Sequence, residues 1–310
     1  MTSTSLSSSN GTARASYWRG LVLMTLAMLF SSTSGIFVRS LPALDPWTIN
    51  AYRGGFMSLS LVVYLLILYR RSLGSLISQA QPMAFVLSAV CFGGASSAYV
   101  LAVSLASSVA SVSALTATAP IFAALVAWLF LRERTPVIVL IAAILAFVGI
   151  LVIAWSEDSA GNGILVTLLG LTVPFLMAAQ TVVLKRFAAT EMTPALILGG
   201  GAVLVLVWLF HGLPILPLRS LLLLALMGFV QLGLSLICFV RGAPYVPAVQ
   251  SMLIAMGDVV FNPLWTWLVY GERVPSKVFF GGGLILVAIL LATVLPQLRR
   301  HRVFSPMAGN

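Results

Sequence analysis

Ten long apolar runs, separated by short polar or Gly/Pro-containing segments, constrain the fold of this chain more than any other feature of its sequence. A helix needs about 20 apolar residues to cross a bilayer, and most of the runs are close to that length. They occupy residues 18–38, 50–69, 82–104, 109–131, 136–155, 162–184, 194–211, 217–240, 246–270 and 275–296. The sequence therefore predicts an all-α integral membrane protein with ten transmembrane helices.

The composition excludes several other classes of protein. Sixty per cent of the 310 residues are hydrophobic and 8% are charged, against roughly 25% charged in a soluble domain. The net charge of +10 is spread between apolar runs, which argues against a nucleic-acid surface. Cys91 and Cys238 both fall within apolar runs, so neither a disulfide framework nor a cysteine metal site is expected.

The basic residues between the runs predict the orientation of the chain. Twelve of the 17 Lys and Arg residues fall at one set of span ends and four at the other. The twelve are Arg14, Arg19, Arg70, Arg71, Arg132, Arg134, Lys185, Arg186, Arg241, Arg299, Arg300 and Arg302, and the four are Arg39, Arg219, Arg273 and Lys277. Because basic residues accumulate in cytoplasmic loops, this bias predicts an even number of spans with both termini in the cytoplasm.

The chain also contains an internal repeat. The stretch TATAPIFAALVAWLFLRERTP at 116–136 aligns with AMGDVVFNPLWTWLVYGERVP at 255–275. Trp128 pairs with Trp267 and Glu133 with Glu272, at a constant offset of 139 residues (272 minus 133). The same offset aligns the third span with the eighth without a gap, so each copy holds five spans.

An odd number of spans in each copy means that the second copy enters the membrane from the opposite side. The predicted organisation is a disordered tail at 1–17, two inverted five-helix repeats at 18–155 and 156–296, and a basic tail at 297–310. Inverted repeats are typical of secondary transporters, whose substrate site lies near the midplane where the halves meet.

The doubled motif, WLFLRERTP and WLVYGERVP, each copy followed by a glycine-containing apolar span, resembles the drug/metabolite transporter superfamily and its EamA-type ten-helix branch. The resemblance covers about residues 18–296. It implies a helical bundle around a central cavity, in a bacterial inner membrane, exporting amino acids, aromatic ones included, or related small metabolites. Arg53, in the second span, also suits the family pattern.

Polar residues inside the apolar runs are the candidates for the substrate cavity, because a polar group in hydrocarbon is costly unless it faces a cavity or a partner. Tyr99 is flanked by small residues, and its ring can either stack on a substrate or fill core volume. Trp265 is ambiguous in the same way. The predicted cavity residues are Tyr99, Gln180, Gln250, Asp258, Asn262 and Trp265.

Asp258 is the only acidic residue that falls well inside a predicted span. An ionised carboxylate there costs about 3 kcal/mol, so something must offset its charge. Protonation, a pair with Arg53 or Arg241, and contact with the amino group of a substrate all remain open.

The Glu-Arg motifs, Glu133 with Arg134 and Glu272 with Arg273, lie at span ends. There a structural ion pair or helix-end contact is favoured over proton coupling. No metal-ligand spacing and no hydrolase, zinc-protease or nucleotide-binding motif is present, so no catalytic residue, metal or cofactor is predicted. The expected partners are a small-molecule substrate and the lipid bilayer. An intramembrane enzyme and a channel are the alternatives to a transporter.

Overall fold

The computed structural model describes residues 3–41, 44–69, 81–105, 112, 115–154, 164–271 and 276–303. They form helices and turns, and no strand occurs among them. The helices of the first half are α1 (Ser3–Ser31), α2 (Ser34–Arg39), α3 (Pro46–Tyr69), α4 (Pro82–Leu105), α5 (Ala119–Leu131) and α6 (Val137–Ala154). Those of the second half are α7 (Ile164–Arg186), α8 (Thr193–His211), α9 (Leu218–Leu226), α10 (Ser235–Gly242), α11 (Ala248–Ala255), α12 (Asp258–Tyr270) and α13 (Ser276–Val303).

The predicted membrane class is confirmed. Eight segments of the described chain are long and apolar enough to cross a bilayer, and α5 and α6 are shorter apolar helices. These ten elements coincide with the ten predicted spans, in the same order. The predicted spans 109–131 and 136–155 also include residues outside the described part of the chain.

The first and ninth spans are each interrupted by a turn, although the sequence shows each as one apolar run. In the first span α1 stops at Ser31 and α2 starts at Ser34. At that break Ser32 Oγ donates to Leu29 O at 2.8 Å and Thr33 Oγ1 to Phe30 O at 2.8 Å. Short hydroxyl side chains compete in this way with the helical backbone.

The eighth span has an irregular middle too. A π-helical segment, Met227–Leu234, joins α9 to α10. From it Gln231 Nε2 donates to Ser31 O at 3.2 Å, and at its end Ser235 Oγ donates to Ala27 O at 2.8 Å. The π segment therefore satisfies a carbonyl released by the break in the first span, in line with the occurrence of π-helical turns at functional sites.

Contacts at the span ends show how the two halves are oriented. The Ala248 N–H, at the start of the ninth span, lies 3.5 Å from Glu133 Oε2, just after the fourth. These two spans are repeat equivalents, and they run antiparallel because the end of one meets the start of the other. The Tyr17 hydroxyl lies 3.2 Å from Thr293 O, so the first span starts on the side where the last one ends.

The packing of helices follows the same twofold relation. Three pairs of equivalent spans contact each other: the fifth with the tenth (α6 with α13), the second with the seventh (α3 with α8), and the fourth with the ninth (α5 with α11). The remaining contacts occur in matched sets. Helix α4 packs on α7 as α1 packs on α10, and α4 packs on α8 as α3 packs on the π segment. The chain thus has a two-repeat architecture in which each half completes the packing of the other.

Two of these contacts depend on glycine. A Cβ at Gly149 in α6 would lie 2.6 Å from Gly281 O in α13. A Cβ at Gly200 in α8 would lie 2.9 Å from Gly54 O in α3. Neither distance leaves room for a side chain, so small residues allow these backbones to approach as they do in other membrane bundles.

The largest core cluster lies between α5, α6, α11 and α13 and is rich in alanine. A second cluster, around Met24, Met57 and Leu196, joins α1, α3 and α8. Outside these clusters many large apolar side chains are exposed, as expected of a surface that faces lipid.

The two chain ends differ from the prediction. Helix α1 begins at Ser3 and α13 continues to Val303, so most of the predicted tail at 1–17 and part of the tail at 297–310 are helical. The first seventeen residues contain one glycine and no proline. Nothing in them stops a helix that continues outward from the first span.

Candidate functional site

Three helices bring a cation, an acid and an aromatic ring together between the halves. Arg53 lies in α3, Tyr99 in α4 and Asp258 at the start of α12. Ser96, one turn before Tyr99 on α4, donates to Asn50 Oδ1 at 2.8 Å, and Arg53 bonds the same oxygen. Asp258 lies within electrostatic range of the Tyr99 hydroxyl. Asp258 lies midway along the segment Ala248–Tyr270, which places this group within the membrane.

Arg53 is deeper in the membrane than the sequence indicated. The predicted second span starts at residue 50, but α3 starts at Pro46. Arg53 therefore lies seven residues along the helix, about 10 Å from its first residue. Its Nη2 donates to Asn50 Oδ1 at 3.0 Å, while its Nε is buried without a partner among the described residues.

Asp258 opens α12, directly after the turn at Met256 and Gly257 that breaks the ninth span. A carboxylate in the first turn of a helix is stabilised by the helix dipole. Its Oδ1 is buried and has no hydrogen-bond partner in the described part of the chain. Of the cations considered for pairing, Arg241 bonds Glu191 at 3.2 Å, and Arg53 bonds Asn50.

Tyr99 is 36% exposed, although Arg53 and Asp258 are near its hydroxyl. Ionisable groups do not face lipid in a stable bundle. That the exposed part of the ring borders a substrate cavity stays a prediction. A ring in this position can stack on a bound molecule.

Asn262 and Trp265, on α12, connect that helix to the first span. Asn262 Oδ1 accepts from the Gly35 N–H at 3.0 Å, and its Nδ2 donates to Ser34 Oγ at 3.1 Å. Trp265 Nε1 donates to Ser32 Oγ at 2.8 Å. We refer to this set of contacts as the α2–α12 junction.

The two glutamines connect helices as well. Gln180 Nε2 donates to Ser88 Oγ at 2.8 Å across α7 and α4. Gln250 Oε1 accepts from the Tyr17 hydroxyl at 3.0 Å, and its Nε2 donates to Ala292 O at 2.6 Å. Both ends of the Gln250 amide are thus hydrogen-bonded within the protein. The Oε1 of Gln180 is buried and has no partner among the described residues.

Glu133 forms an ion pair with Lys185 at the end of α7. Helix α5 ends at Leu131 and is followed by Arg132, which has a left-handed backbone with φ of 54°. Glu133 follows that turn. The neighbouring Arg134 is exposed. We refer to the contact of Glu133 with Lys185 and the Ala248 N–H as the α5–α7 junction. Glu272 and Arg273 lie outside the described residues.

A further polar cluster on the same side as Glu133 involves Glu191, just before α8. Its Oε2 accepts from the Tyr69 hydroxyl at 2.9 Å and pairs with Arg241 at 3.2 Å. Its Oε1 accepts from Thr193 Oγ1 at 2.5 Å. The Arg241 guanidinium also lies over the Tyr64 ring, 5.8 Å from its centroid. Sequence reasoning missed this cluster, because Glu191 lies in a short loop and its partners are far apart in the chain.

Comparison with known proteins decides the family. The model of the EamA-like transporter family matches residues 18–155 and again residues 164–294. This chain belongs to the EamA-like transporter family. A protein known from its crystal structure superimposes with a TM-score of 0.78 at 17% sequence identity, over 92% of this chain and 99% of that chain. A search of curated proteins finds no match.

Membership of the EamA-like family makes this chain a multi-pass membrane protein of the drug/metabolite transporter superfamily that transports a small molecule. The two family matches correspond to the two repeats, and the similar crystal structure shows the same fold. In this EamA-like chain the polar group formed by Arg53, Tyr99 and Asp258 lies where the repeats meet.

Proposed function

We propose that this chain is a secondary transporter that exports amino acids, aromatic ones included, by alternating access. The 12-to-4 distribution of basic residues supports an orientation with both termini in the cytoplasm of a bacterial inner membrane. Export of the substrate then proceeds from the side of Glu133 to the side of Asn262.

The observation that carries this proposal is the pair of opposite charges beside one aromatic ring. Arg53 and Asp258 both lie near Tyr99 and form no ion pair with each other in the described part of the chain. An amino acid carries a carboxylate and an ammonium group on one carbon, so it can offset both charges at once. An aromatic side chain would add stacking on Tyr99.

Alternating access is supported by the broken helices and by the two junctions. Discontinuous helices near the midplane are typical of transporters built from inverted repeats. The α5–α7 junction holds the halves together at one end of the bundle, and the α2–α12 junction does so at the other. Release of one junction at a time would expose the central site to one side only.

Counterflow in proteoliposomes tests the proposal. Vesicles loaded with unlabelled phenylalanine should accumulate labelled phenylalanine from outside, with saturable kinetics. A channel would give flux without saturation or counterflow, and an enzyme would return a chemically altered product. Absence of counterflow across a panel of amino acids, with a folded protein, would refute amino-acid transport.

A further inference from the structure

The amide of Asn50 has an orientation that its neighbours determine. Asn50 is 3% exposed, and its Oδ1 accepts both from Arg53 Nη2 at 3.0 Å and from Ser96 Oγ at 2.8 Å. A flipped amide would place an N–H against the guanidinium, where two donors would face each other. The carbonyl oxygen must therefore face Arg53.

This orientation leaves two donors without acceptors. Asn50 Nδ2 and Arg53 Nε are both buried, and neither has a partner in the described part of the chain. The two residues lie one turn apart on α3, so the donors belong to one local cluster. Leaving buried donors unpaired costs about 1 to 3 kcal/mol for each group, and more when the group is charged.

The guanidinium also lacks a counter-charge. The ion pairs of the described chain join Asp45, Glu133 and Glu191 to other partners. Asp258 takes part in none of them. A half-buried guanidinium with a buried, unpaired Nε and no ion pair in the described chain is the environment that an oxyanion would satisfy.

We propose that Asn50 and Arg53 form the subsite for the carboxylate of the substrate, with Asp258 receiving its cationic end. This inference rests on the proposed function and specifies how the same site holds its substrate. The charges of Arg53 and Asp258 sum to zero, so a zwitterion leaves the site neutral. A phosphate dianion would leave it with a net negative charge within the membrane, which is unfavourable.

Ser96 and Asn50 have different roles in this subsite. Asn50 binds the carboxylate through Nδ2 and positions Arg53 through Oδ1. In the described part of the chain, Ser96 contacts the cluster through Asn50 Oδ1 alone, so it is a positioning residue on the neighbouring helix α4. Tyr99 lies one turn further along α4, beside the bound carboxylate and ammonium groups.

Asn50→Asp provides a test that preserves the local hydrogen bonds. The new carboxylate still accepts from Arg53 and Ser96, but it removes the Nδ2 donor and supplies Arg53 with an internal counter-charge. We expect the affinity for phenylalanine and for 3-phenylpropionate, which lacks the amino group, to fall by about tenfold or more. Binding of phenethylamine, which lacks the carboxylate, should stay within about twofold of the parent value.

The measurement is binding of these three compounds to purified protein, together with counterflow in vesicles. Arg53→Gln should weaken the binding of phenylalanine and 3-phenylpropionate, as Asn50→Asp does. Ser58→Ala is the matched control on α3, because Ser58 bonds only to Ile197 O in the described structure, at 3.1 Å. It should leave all three affinities unchanged.

The two proposals fail in different ways. Suppose that the parent transports phenylalanine, but Asn50→Asp and Arg53→Gln weaken the binding of phenylalanine and of phenethylamine equally, or weaken neither. The carboxylate subsite is then wrong, and the transport function stands. If the parent binds phenylpropionate in an Asn50-dependent manner without any amino-acid counterflow, the subsite stands and amino-acid transport is wrong. If the parent binds none of the three compounds, both proposals are wrong.

Discussion

The α5–α7 and α2–α12 junctions occupy equivalent places in the two repeats, yet they are built from different chemistry. At the α5–α7 junction Glu133 forms an ion pair with Lys185 of α7. At the α2–α12 junction Asn262 and Trp265 form neutral hydrogen bonds with the first span. The repeat determines which helices meet, whereas the side chains determine how strongly each contact depends on salt and on single substitutions.

The backbone turns next to these junctions show the same combination of symmetry and difference. Arg132 ends α5 with φ of 54°, and Gly271, its equivalent at the offset of 139 residues, ends α12 with φ of 66°. At both positions the backbone adopts the left-handed conformation. Glycine is favoured there, and a residue with a Cβ is strained by roughly 1 kcal/mol or more. The left-handed turn is thus retained in both repeats, even though Arg132 is less suited to it than a glycine.

Loss of charge at the α5–α7 junction should have the largest effect on stability. Glu133→Gln leaves Lys185, whose side chain is 10% exposed, without a counter-charge. Because an unpaired buried cation is costly, we expect a loss of about 2 kcal/mol in the free energy of unfolding. Thermal unfolding of the purified protein at several salt concentrations measures it.

Arg134→Gln is the control for that experiment, because Arg134 is the exposed neighbour of Glu133 and should be neutral. The exchange Glu133→Lys with Lys185→Glu should recover part of the loss. Equal unfolding midpoints for Glu133→Gln and the parent at every salt concentration would show that the ion pair does not hold this junction.

Crowding at the α2–α12 junction should have the next largest effect. A Cβ at Gly35 would lie 2.1 Å from Asn262 Oδ1, so Gly35→Ala must displace the asparagine and lose its hydrogen bonds. We expect a loss of about 1 to 2 kcal/mol, measured by the same unfolding assay and independent of salt.

Gly201→Ala in α8 is the matched control. An added Cβ there meets nothing within 4 Å, and alanine is the better helix former, so the unfolding midpoint should stay or rise. A Gly35→Ala protein as stable as Gly201→Ala would contradict the assigned packing of α2 on α12.

A smaller effect is expected for Tyr270→Phe at the same junction. The Tyr270 hydroxyl lies 2.6 Å from Ser40 Oγ and donates to Ile36 O at 3.0 Å. These exposed bonds are worth about 1 kcal/mol together. Tyr245 is exposed and has no hydrogen bond in the described structure, so Tyr245→Phe should leave the free energy of unfolding unchanged. An equal loss in both variants would contradict the assigned role of the Tyr270 hydroxyl.

The smallest effect is a pH dependence at Asp45, before α3. Burial raises the pKa of the Asp45 carboxyl, but hydrogen bonds from Thr48 and the charge of His211 outweigh it and leave this pKa below its usual value. The Asp45 contribution to stability is therefore present above about pH 4, the carboxyl's pKa in the unfolded chain, and is lost as the pH falls through its lower folded value. Unfolding midpoints of the parent and Asp45→Asn should converge below that window; a constant difference down to pH 2 would contradict this.

Sequence alone could predict the spans, the repeat and two members of the central group. Apolar length and the odd five-span copy determine the fold class, and Asp258 and Tyr99 are conspicuous in an apolar run. Arg53 and Asn50 were harder to place because the predicted second span began at residue 50, whereas Pro46 starts α3. Because the helix starts four residues earlier than predicted, both side chains lie further along the second span than the sequence indicated.

The breaks in the helices could not be predicted from hydropathy. The hydropathy of the run at 217–240 would be the same for a regular α-helix and for a helix with a π segment at Met227–Leu234. Within that segment, Gln231 is the one strongly polar side chain. The rule that buried amides face a cavity also fails for Gln250, because both ends of its amide bond to neighbouring helices. Such bonds join residues from distant parts of the chain, and no local pattern indicates them.

The most direct test of alternating access is whether one junction opens while the other stays closed. Spin labels at Arg134 and Arg186 report on the α5–α7 end, and labels at Val38 and Val269 report on the α2–α12 end; all four side chains are exposed. Double electron–electron resonance, in protein with Cys91 and Cys238 replaced by alanine, measures both distances in the parent and in Glu133→Gln. We expect Glu133→Gln to lengthen the first distance and to leave the second at its parent value, because one junction is released at a time. Lengthening of both distances would contradict the account, and so would an unchanged first distance.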